Sequence, residues 1–298
     1  MVSHSRNEEF VDRRHSGWNR PSPVKVKKKH PFLKFILFLI LVFSLVYGWI
    51  FLLPTIKTGP SIKDTDVPIT AIIDSHPTYD IGVALIDIKS GDRISLGTTK
   101  SFTAASTAKV LTAGITMHEI ESSNLSMDKK LNNYPVSWHL QQMINQSNNE
   151  SWAALNHYFG QEKIEAYAKK LGLKSYDYKE NLLSASDMTT LLSKLYQEKL
   201  MNKEHTKLIL GYMQRTNDDS FIPAIADNGN ITVYHKYGWL DNYIHDAAIL
   251  VKGKNKWALT IYTHPNNGMT DNNVSRDIIH AITGVVVKEL EDQPTISN

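Results

Sequence analysis

The sequence of 298 residues contains no cysteine. That absence excludes a disulfide-stapled scaffold, a thiolate nucleophile, an iron–sulfur cluster and any zinc site with sulfur ligands. Histidine occurs twelve times, yet no His-Glu-x-x-His or His-x-His is present, so the ligand spacing of a catalytic metal is missing as well. His118, Glu119 and His235 read as surface or supporting residues, and neither metal nor cofactor is expected. A basic main body is also lacking. The chain has 33 Lys+Arg against 30 Asp+Glu, for a net charge of +3. Residues 1–34 hold nine of those bases and three of the acids, a local excess of +6, which leaves the remainder at −3. A folded part of that sign has no electrostatic support for binding nucleic acid. With 42% hydrophobic and 21% charged residues, wholesale disorder is excluded. A single domain plus an appendage fits the length.

What is present begins with FILFLILVFSLVYGWIFLL, residues 35–53, nineteen positions without a charge. As a helix this run spans roughly 28 Å, enough for a hydrocarbon core. Ser44 is its only clearly polar break. Tyr47 and Trp49 fall towards the far end, where aromatic rings favour the interface, and Lys25, Lys27, Lys28, Lys29 and Lys34 flank the near end. The charge bias predicts a cytoplasmic basic tail over 1–34 and a single-pass signal anchor over 35–53 in the plasma membrane. Everything that follows is then extracellular. No small-x-small site follows, which favours an uncleaved anchor over a signal peptide. The lipid bilayer is thus an expected partner. Residues 54–78, with Pro54, Gly59, Pro60, Pro68 and Pro77, read as a stalk. The folded domain is expected over 79–298.

Within that domain, Ile81–Ile88 and Arg93–Leu96 flank the turn Ser90-Gly91-Asp92 and predict a hairpin. Helical patterns follow over Ala108–Glu121, Trp138–Asn145, Ser151–Phe159, Glu162–Leu171, Ser186–Leu200 and Asn202–Met213. Strand-prone runs return at Ile231–Tyr237, Asp246–Lys252 and Lys256–Tyr262, and a last helix is expected near Val274–Leu290. Strands, helices, strands and helix, in that order, predict an α+β fold. An antiparallel sheet drawn from both chain ends would carry flanking helices and an all-helical insert, preceded by one transmembrane helix.

Serine chemistry fits the motifs best. Ser106 lies three residues before Lys109 at the start of an apolar helix, and positions i and i+3 share a helix face. A neutral lysine there takes the hydroxyl proton, and burial beside a second cation lowers its pKa towards that role. Ser-x-x-Lys alone is weak, since Ser22–Lys25 and Ser126–Lys129 match it too. The first of these sits in the basic tail and the second in a polar turn. Downstream lies Ser147-Asn148-Asn149, between two helical patterns. It reads either as a plain helix cap or as a proton relay at Ser147 with an amide contact from Asn149. Lys236-Tyr237-Gly238 follows on the first late strand, where a lysine is either an edge residue or a costly inner one with a partner. Lys57-Thr58-Gly59 imitates this last motif, but it precedes the serine and lies next to the apolar run.

The ordered trio Ser106-x-x-Lys109, Ser147-x-Asn149 and Lys236-x-Gly238 resembles the class A β-lactamases and penicillin-binding proteins. The flanks MINQSNNESWAALNHYFG, SASDMTTLLSKLY and HDAAILVKGKNKWALTIYTH are similar to that family's segments, and the likeness runs from about Tyr79 to Glu291. The resemblance implies that Ser106 attacks an acyl carbonyl and forms an acyl-enzyme, with Lys109, Ser147 and Lys236 managing the proton. It implies an oxyanion hole from the backbone N–H groups of Ser106 and Trp239. Asn149 and the strand Tyr237-Gly238-Trp239 would bind substrate, and Lys236 would attract its carboxylate. The implied partner is a β-lactam or a peptidoglycan peptide.

Three departures separate the chain from that pattern. Asn148 replaces the usual Asp. Tyr237 stands where a small hydroxyl residue contacts the β-lactam carboxylate. The loop KSYDYKENLLSAS offers only Glu180, with Asp177, where class A enzymes carry the glutamate that activates the deacylating water. β-Lactam hydrolysis is therefore expected to compete with D-alanyl-D-alanine peptidase chemistry, and a non-catalytic binder of the same fold is the third alternative. A sensor that signals through the basic tail is disfavoured, because that tail holds no effector domain.

Overall fold

The protein, described here from a computed structural model, is resolved into placed residues at 35–36, 38–44, 61–266, 268 and 272–292. The chain divides into two units, Met1–Lys57 and Thr58–Asn298. In the first, residues 35–36 and 38–44 are helical and their apolar side chains, Phe38 and Phe43 among them, are exposed. Among the described residues no helix is long and apolar enough to cross a membrane. The expected tail over 1–34, and residues 37 and 45–53 of the expected span, lie outside the described residues.

The second unit begins earlier than the sequence suggested. Residues 61–74, read as stalk, form a 3-10 turn (Ile62–Thr65) and a helix, α1 (Asp66–Asp74). Ser61 starts the turn with a reciprocal cap: its hydroxyl accepts from the Lys63 N–H, and its own N–H donates to the Asp64 carboxylate. Pro68 breaks nothing, because it falls in the first turn of α1, where its missing N–H has no helical partner to lose. Ile62 and Ile69 are fully buried in the domain core, so this segment belongs to the folded body.

The sheet follows the expected pattern. β1 (Tyr79–Asp87) and β2 (Arg93–Gly97) come from the start of the domain, and β7 (Thr232–Leu240), β8 (Tyr243–Lys252) and β9 (Asn255–Pro265) come from its end. They pair antiparallel in the order β2-β1-β9-β8-β7, so β7 is an edge. Side chains alternate between two cores, as the period of two requires. Val83, Leu85, Leu250 and Leu259 meet α1 and the closing helix α9 (Asn272–Asp292) on one face. Ala84, Ile86, Ala247 and Ile249 meet the helical insert on the other.

The insert holds α2 (Lys109–Glu121), α3 (Val136–Asn145), α4 (Asn149–Phe159), α5 (Gln161–Lys170), α6 (Ala185–Tyr196) and α7 (Lys203–Tyr212). α6 crosses β1, β8 and β9 and joins insert to sheet. Four short strands and one short helix complete the described part. β3 (Phe102–Thr103) pairs with β6 (Leu182–Leu183), β4 (Lys130–Leu131) pairs with β5 (Tyr134–Pro135), and α8 (Ile222–Ala226) precedes β7. Two-residue strands carry no periodicity, which is why no pattern of residues announces them.

Candidate active site

Ser106 sits on a 3-10 turn (Ala105–Ala108) that runs directly into α2. The residue before it, Ala105, has φ +49°, a left-handed backbone that side chains other than glycine rarely adopt. Neighbours hold the turn in that shape. The Ala104 N–H donates to the Asn181 carbonyl at 2.8 Å, and the Asn181 side-chain amide donates to the Ala105 carbonyl at 3.0 Å. From the sheet, the Tyr262 hydroxyl lies 2.6 Å from Thr107 Oγ1, which itself donates to the Ala104 carbonyl at 2.7 Å.

Lys109 stands on the first turn of α2 and is fully buried. Its Nζ lies 2.8 Å from Ser106 Oγ, 2.7 Å from the Ser147 carbonyl, 2.7 Å from Asn149 Oδ1 and 3.3 Å from Ser147 Oγ. Burial pulls its pKa down to about 7, so a large share of the side chain is neutral at physiological pH. A neutral amine has two N–H donors and one lone pair. The Ser147 carbonyl and Asn149 Oδ1 are acceptors only and take the two donors, which leaves the lone pair for the Ser106 hydroxyl. That is the arrangement of a general base.

The middle motif serves both readings at once. Asn148 is the N-cap of α4, its Oδ1 accepting from the Ser151 N–H at 2.7 Å. Its neighbours Ser147 and Asn149 turn towards Lys109. Ser147 has φ +53°, and this left-handed backbone between α3 and α4 brings both its carbonyl and its hydroxyl to the lysine.

Lys236 is an inner lysine. It is fully buried on β7, and its Nζ donates to Ser147 Oγ at 3.0 Å and to the Tyr237 carbonyl at 3.0 Å. Burial, and then the charge of Lys109, push its pKa well below the usual lysine range. Gly238 has to be glycine: a Cβ there would stand 2.9 Å from the Ala104 carbonyl oxygen. The strand therefore lies directly against the nucleophile turn. Trp239 shares strand parity with His235, whose N–H leaves the sheet edge to reach the Met213 carbonyl, so the Trp239 N–H also points off that edge. Its indole is exposed and donates to the Asp241 carbonyl at 3.1 Å. Tyr237 lays its ring 4.0 Å from Lys236 Nζ, stacks on Phe221 and donates its hydroxyl to Asn217 Oδ1 at 3.2 Å.

Glu180 is not drawn into this cluster. It is exposed on the loop before β6, where its N–H donates to Asp177 Oδ1 at 3.0 Å. The adjacent Asn181 touches the nucleophile turn instead. Sequence reasoning missed Asn181, whose carbonyl and side-chain amide both meet a turn far away along the chain. It read His235 as either a surface or a supporting residue, and the buried, supporting alternative is the one the structure takes. His235 is 1% exposed, between Asp219 and Asp246.

The sequence matches the model of the β-lactamase enzyme family over residues 66–290. The chain belongs to that family. As a member of that enzyme family it is a β-lactamase-like hydrolase, on the α+β scaffold described above. Solved structures share the fold at low identity. PBP-A superposes with a TM-score of 0.71 at 18% identity, covering 77% of this chain and 97% of that one. An ancestral class A β-lactamase gives 0.69 at 14% identity, covering 75% and 99%. A β-lactamase from Chitinophaga pinensis gives 0.69 at 18% identity, covering 76% and 99%. No curated protein matches the sequence significantly.

Proposed function

We propose that this chain is a serine hydrolase that forms an acyl-enzyme on Ser106 and releases the acyl group of a β-lactam slowly. In this reading it acts as a D-alanyl-D-alanine peptidase of the penicillin-binding type rather than as a fast β-lactamase. The observation that carries the reading is Lys109 Nζ, held at 2.8 Å from the Ser106 hydroxyl with its two N–H donors assigned to carbonyl oxygens. Ser106 Oγ attacks the carbonyl carbon and its proton passes to Lys109. The negative oxygen that forms is met by the N–H groups of Ser106 and Trp239, a term worth about 3 kcal/mol per donor in comparable sites. The C–N bond then breaks, and Ser147, in reach of both lysines, passes the proton to the leaving nitrogen. Lys236 offers its charge to the substrate carboxylate, and Asn149 offers its amide.

Slow release rests on the loop before β6. Asn181, which cannot act as a base, occupies the contact with the nucleophile turn, and the acid Glu180 is turned to solvent. Supporting the acylation step, a leucine-to-glutamate mutant of PBP-A, similar in fold at a TM-score of 0.69, is an acyl-enzyme complex with penicillin G. Anchoring through residues 35–53, with the hydrolase outside the plasma membrane, belongs to the same proposal. It is supported by the uncharged run and the basic segment before it. Protease shaving of intact cells should remove the domain and leave the tail.

Incubation with a fluorescent penicillin tests the chemistry. One label per chain is expected on the wild type, none on Ser106→Ala, with the adduct persisting for minutes or longer. Rapid release of ring-opened drug would make the protein a fast β-lactamase. The absence of any label on the folded wild type would leave a non-catalytic binder.

A further inference from the structure

Behind Lys236, on the opposite face of β7, lies an ionic cluster that the chemistry above does not use. His235 Nδ1 is 3.0 Å from both carboxylate oxygens of Asp246, which is fully buried on β8. His235 Nε2 is 3.0 Å from Asp219 Oδ1 and 3.1 Å from Thr216 Oγ1, both on the loop that leads from α7 to α8. Asp246 also accepts from the Ile222 and Ala247 N–H groups. One imidazole thus ties a loop to a strand through two acids.

That loop reaches the active site. The Asn217 N–H donates to the Asn145 carbonyl at the end of α3, just before Ser147, and the Asn145 amide donates to the carbonyls of Tyr212, Gln214 and Arg215. Asn217 Oδ1 receives the Tyr237 phenol, whose ring lies against Lys236. Arg215 enters the loop with φ +47°, a left-handed backbone that needs holding.

We propose that His235 is a positioning residue: by bridging Asp246 and Asp219 it holds the 216–222 loop against the sheet, and with it Asn217 and the phenol of Tyr237 beside Lys236. The inference rests on the acyl-enzyme reading only for its kinetic test.

The bridge needs both ring nitrogens to donate, so it exists only in the imidazolium form. Burial alone would push the imidazole down. The charge of Asp246 and the hydrogen bonds that the ring donates to Asp219 and Asp246 outweigh burial and hold it at about 9. Arg215 and Asp227 line a cavity of about 270 Å³ with His235 and Asp219; Asp218 precedes Asp219 on the loop, and Lys236 follows His235 on β7 with its side chain on the opposite face. When the proton leaves, one N–H remains for two carboxylates. Asp246 is sealed and also receives two backbone donors, whereas the Asp219 side chain is 43% exposed. The remaining proton therefore stays towards Asp246, and the link to Asp219 opens.

The test uses the full chain with two readouts. In the first, amide exchange of residues 216–222 is compared with that of β8 from pH 7 to 10. In the second, penicillin acylation is resolved into half-saturation and limiting rate over the same range. Above pH 9 the loop amides should lose protection while β8 keeps it. The half-saturation concentration should rise about five- to tenfold, the size of one hydrogen bond, with the limiting rate unchanged. Asp219→Asn keeps a neutral acceptor for the imidazolium but removes one charge, so it should move the alkaline limb to lower pH. His235→Gln should remove the limb and show the weak half-saturation throughout. If His235→Gln fails to fold, Asp219→Asn and the wild-type pH series still decide. Loop protection indifferent to pH and to Asp219→Asn overturns the proposal, as does an alkaline limb that the variant does not move. A wild type that is never labelled, yet whose loop loosens as stated, refutes the acyl-enzyme reading and leaves this one standing.

Discussion

Lys109 and Lys236 reach for the same hydroxyl: their Nζ atoms lie 3.3 Å and 3.0 Å from Ser147 Oγ. Two ammonium groups this close disfavour each other, on top of the burial that already disfavours either charge. Lys109 is the better placed of the two to be the base, since only its Nζ contacts Ser106 Oγ.

The rate of Ser106 acylation should therefore rise with pH through about 7, as Lys109 loses its proton, and level off above pH 8. Stopped-flow acylation by a fluorescent penicillin reads this limb directly. Lys109→Met keeps the length and apolar stem but removes the base, and the plateau rate should fall by about 10²–10⁴. A variant that acylates within a factor of three of wild type would remove Lys109 from the mechanism.

Ser147 joins two effects that one substitution separates. Its φ of +53° favours glycine, so Ser147→Gly relieves about 1 kcal/mol of backbone cost, which offsets the lost hydroxyl contacts. Its melting temperature should stay close to wild type while acylation falls roughly 10²-fold, because the proton relay is gone. Ser147→Ala should lose the same rate and also some stability.

Much of this site was legible in the sequence, for a physical reason. Ser106 and Lys109 share a helix face by spacing alone, and Ser147 and Lys236 announced themselves through order along the chain. The hairpin β1–β2 and the strands β7 to β9 were visible because alternation and turn residues encode them locally. What stayed hidden depends on pairing over long distances. Asn181 acts through its carbonyl and its amide on a turn 76 residues earlier, and nothing in its local sequence says so. His235 looked unremarkable because Asp219 and Asp246 come near it only after folding. Pro68 and its fellow prolines suggested a stalk, since a proline in a first helical turn looks the same in sequence as a proline in a linker.

The revised start of the domain has its own consequence. Ile69 is fully buried among the residues under α9, so Ile69→Ala should lower stability by about 2–4 kcal/mol in urea melts, the usual range for a buried isoleucine truncated to alanine. Removal of residues 58–75 should destabilise further. A stalk would tolerate both changes.

Gly238 tests how tightly β7 is set against the nucleophile turn. The added methyl of Gly238→Ala meets a backbone oxygen at 2.9 Å, and that oxygen, on Ala104, is already engaged by the N–H and hydroxyl of Thr107. Either the strand or the turn must shift. The cost should be about 1–3 kcal/mol, and acylation should drop as well, because the N–H of Trp239 moves with the strand.

A second histidine should contribute to the acid sensitivity of the fold. His245 is fully buried on β8, stacks on Tyr262, and lies 2.9 Å from the Thr103 carbonyl through Nε2. The Thr263 N–H donates to its Nδ1, so the ring is neutral with its one proton on Nε2, and Thr103 is thereby tied to the sheet just before the nucleophile turn. Burial pushes its pKa down to about 4. The unfolded chain takes up a proton near pH 6.5, whereas the folded chain waits until about 4. Stability from this group is therefore fully present above pH 6.5 and is lost as pH falls towards 4, by about 3 kcal/mol in all. Thermal melts between pH 7 and 4 should show that decline, and His245→Gln, which has no such proton to take up, should flatten it while starting from a lower melting temperature. An equally steep acid limb in the variant would assign the loss to carboxylates elsewhere in the protein.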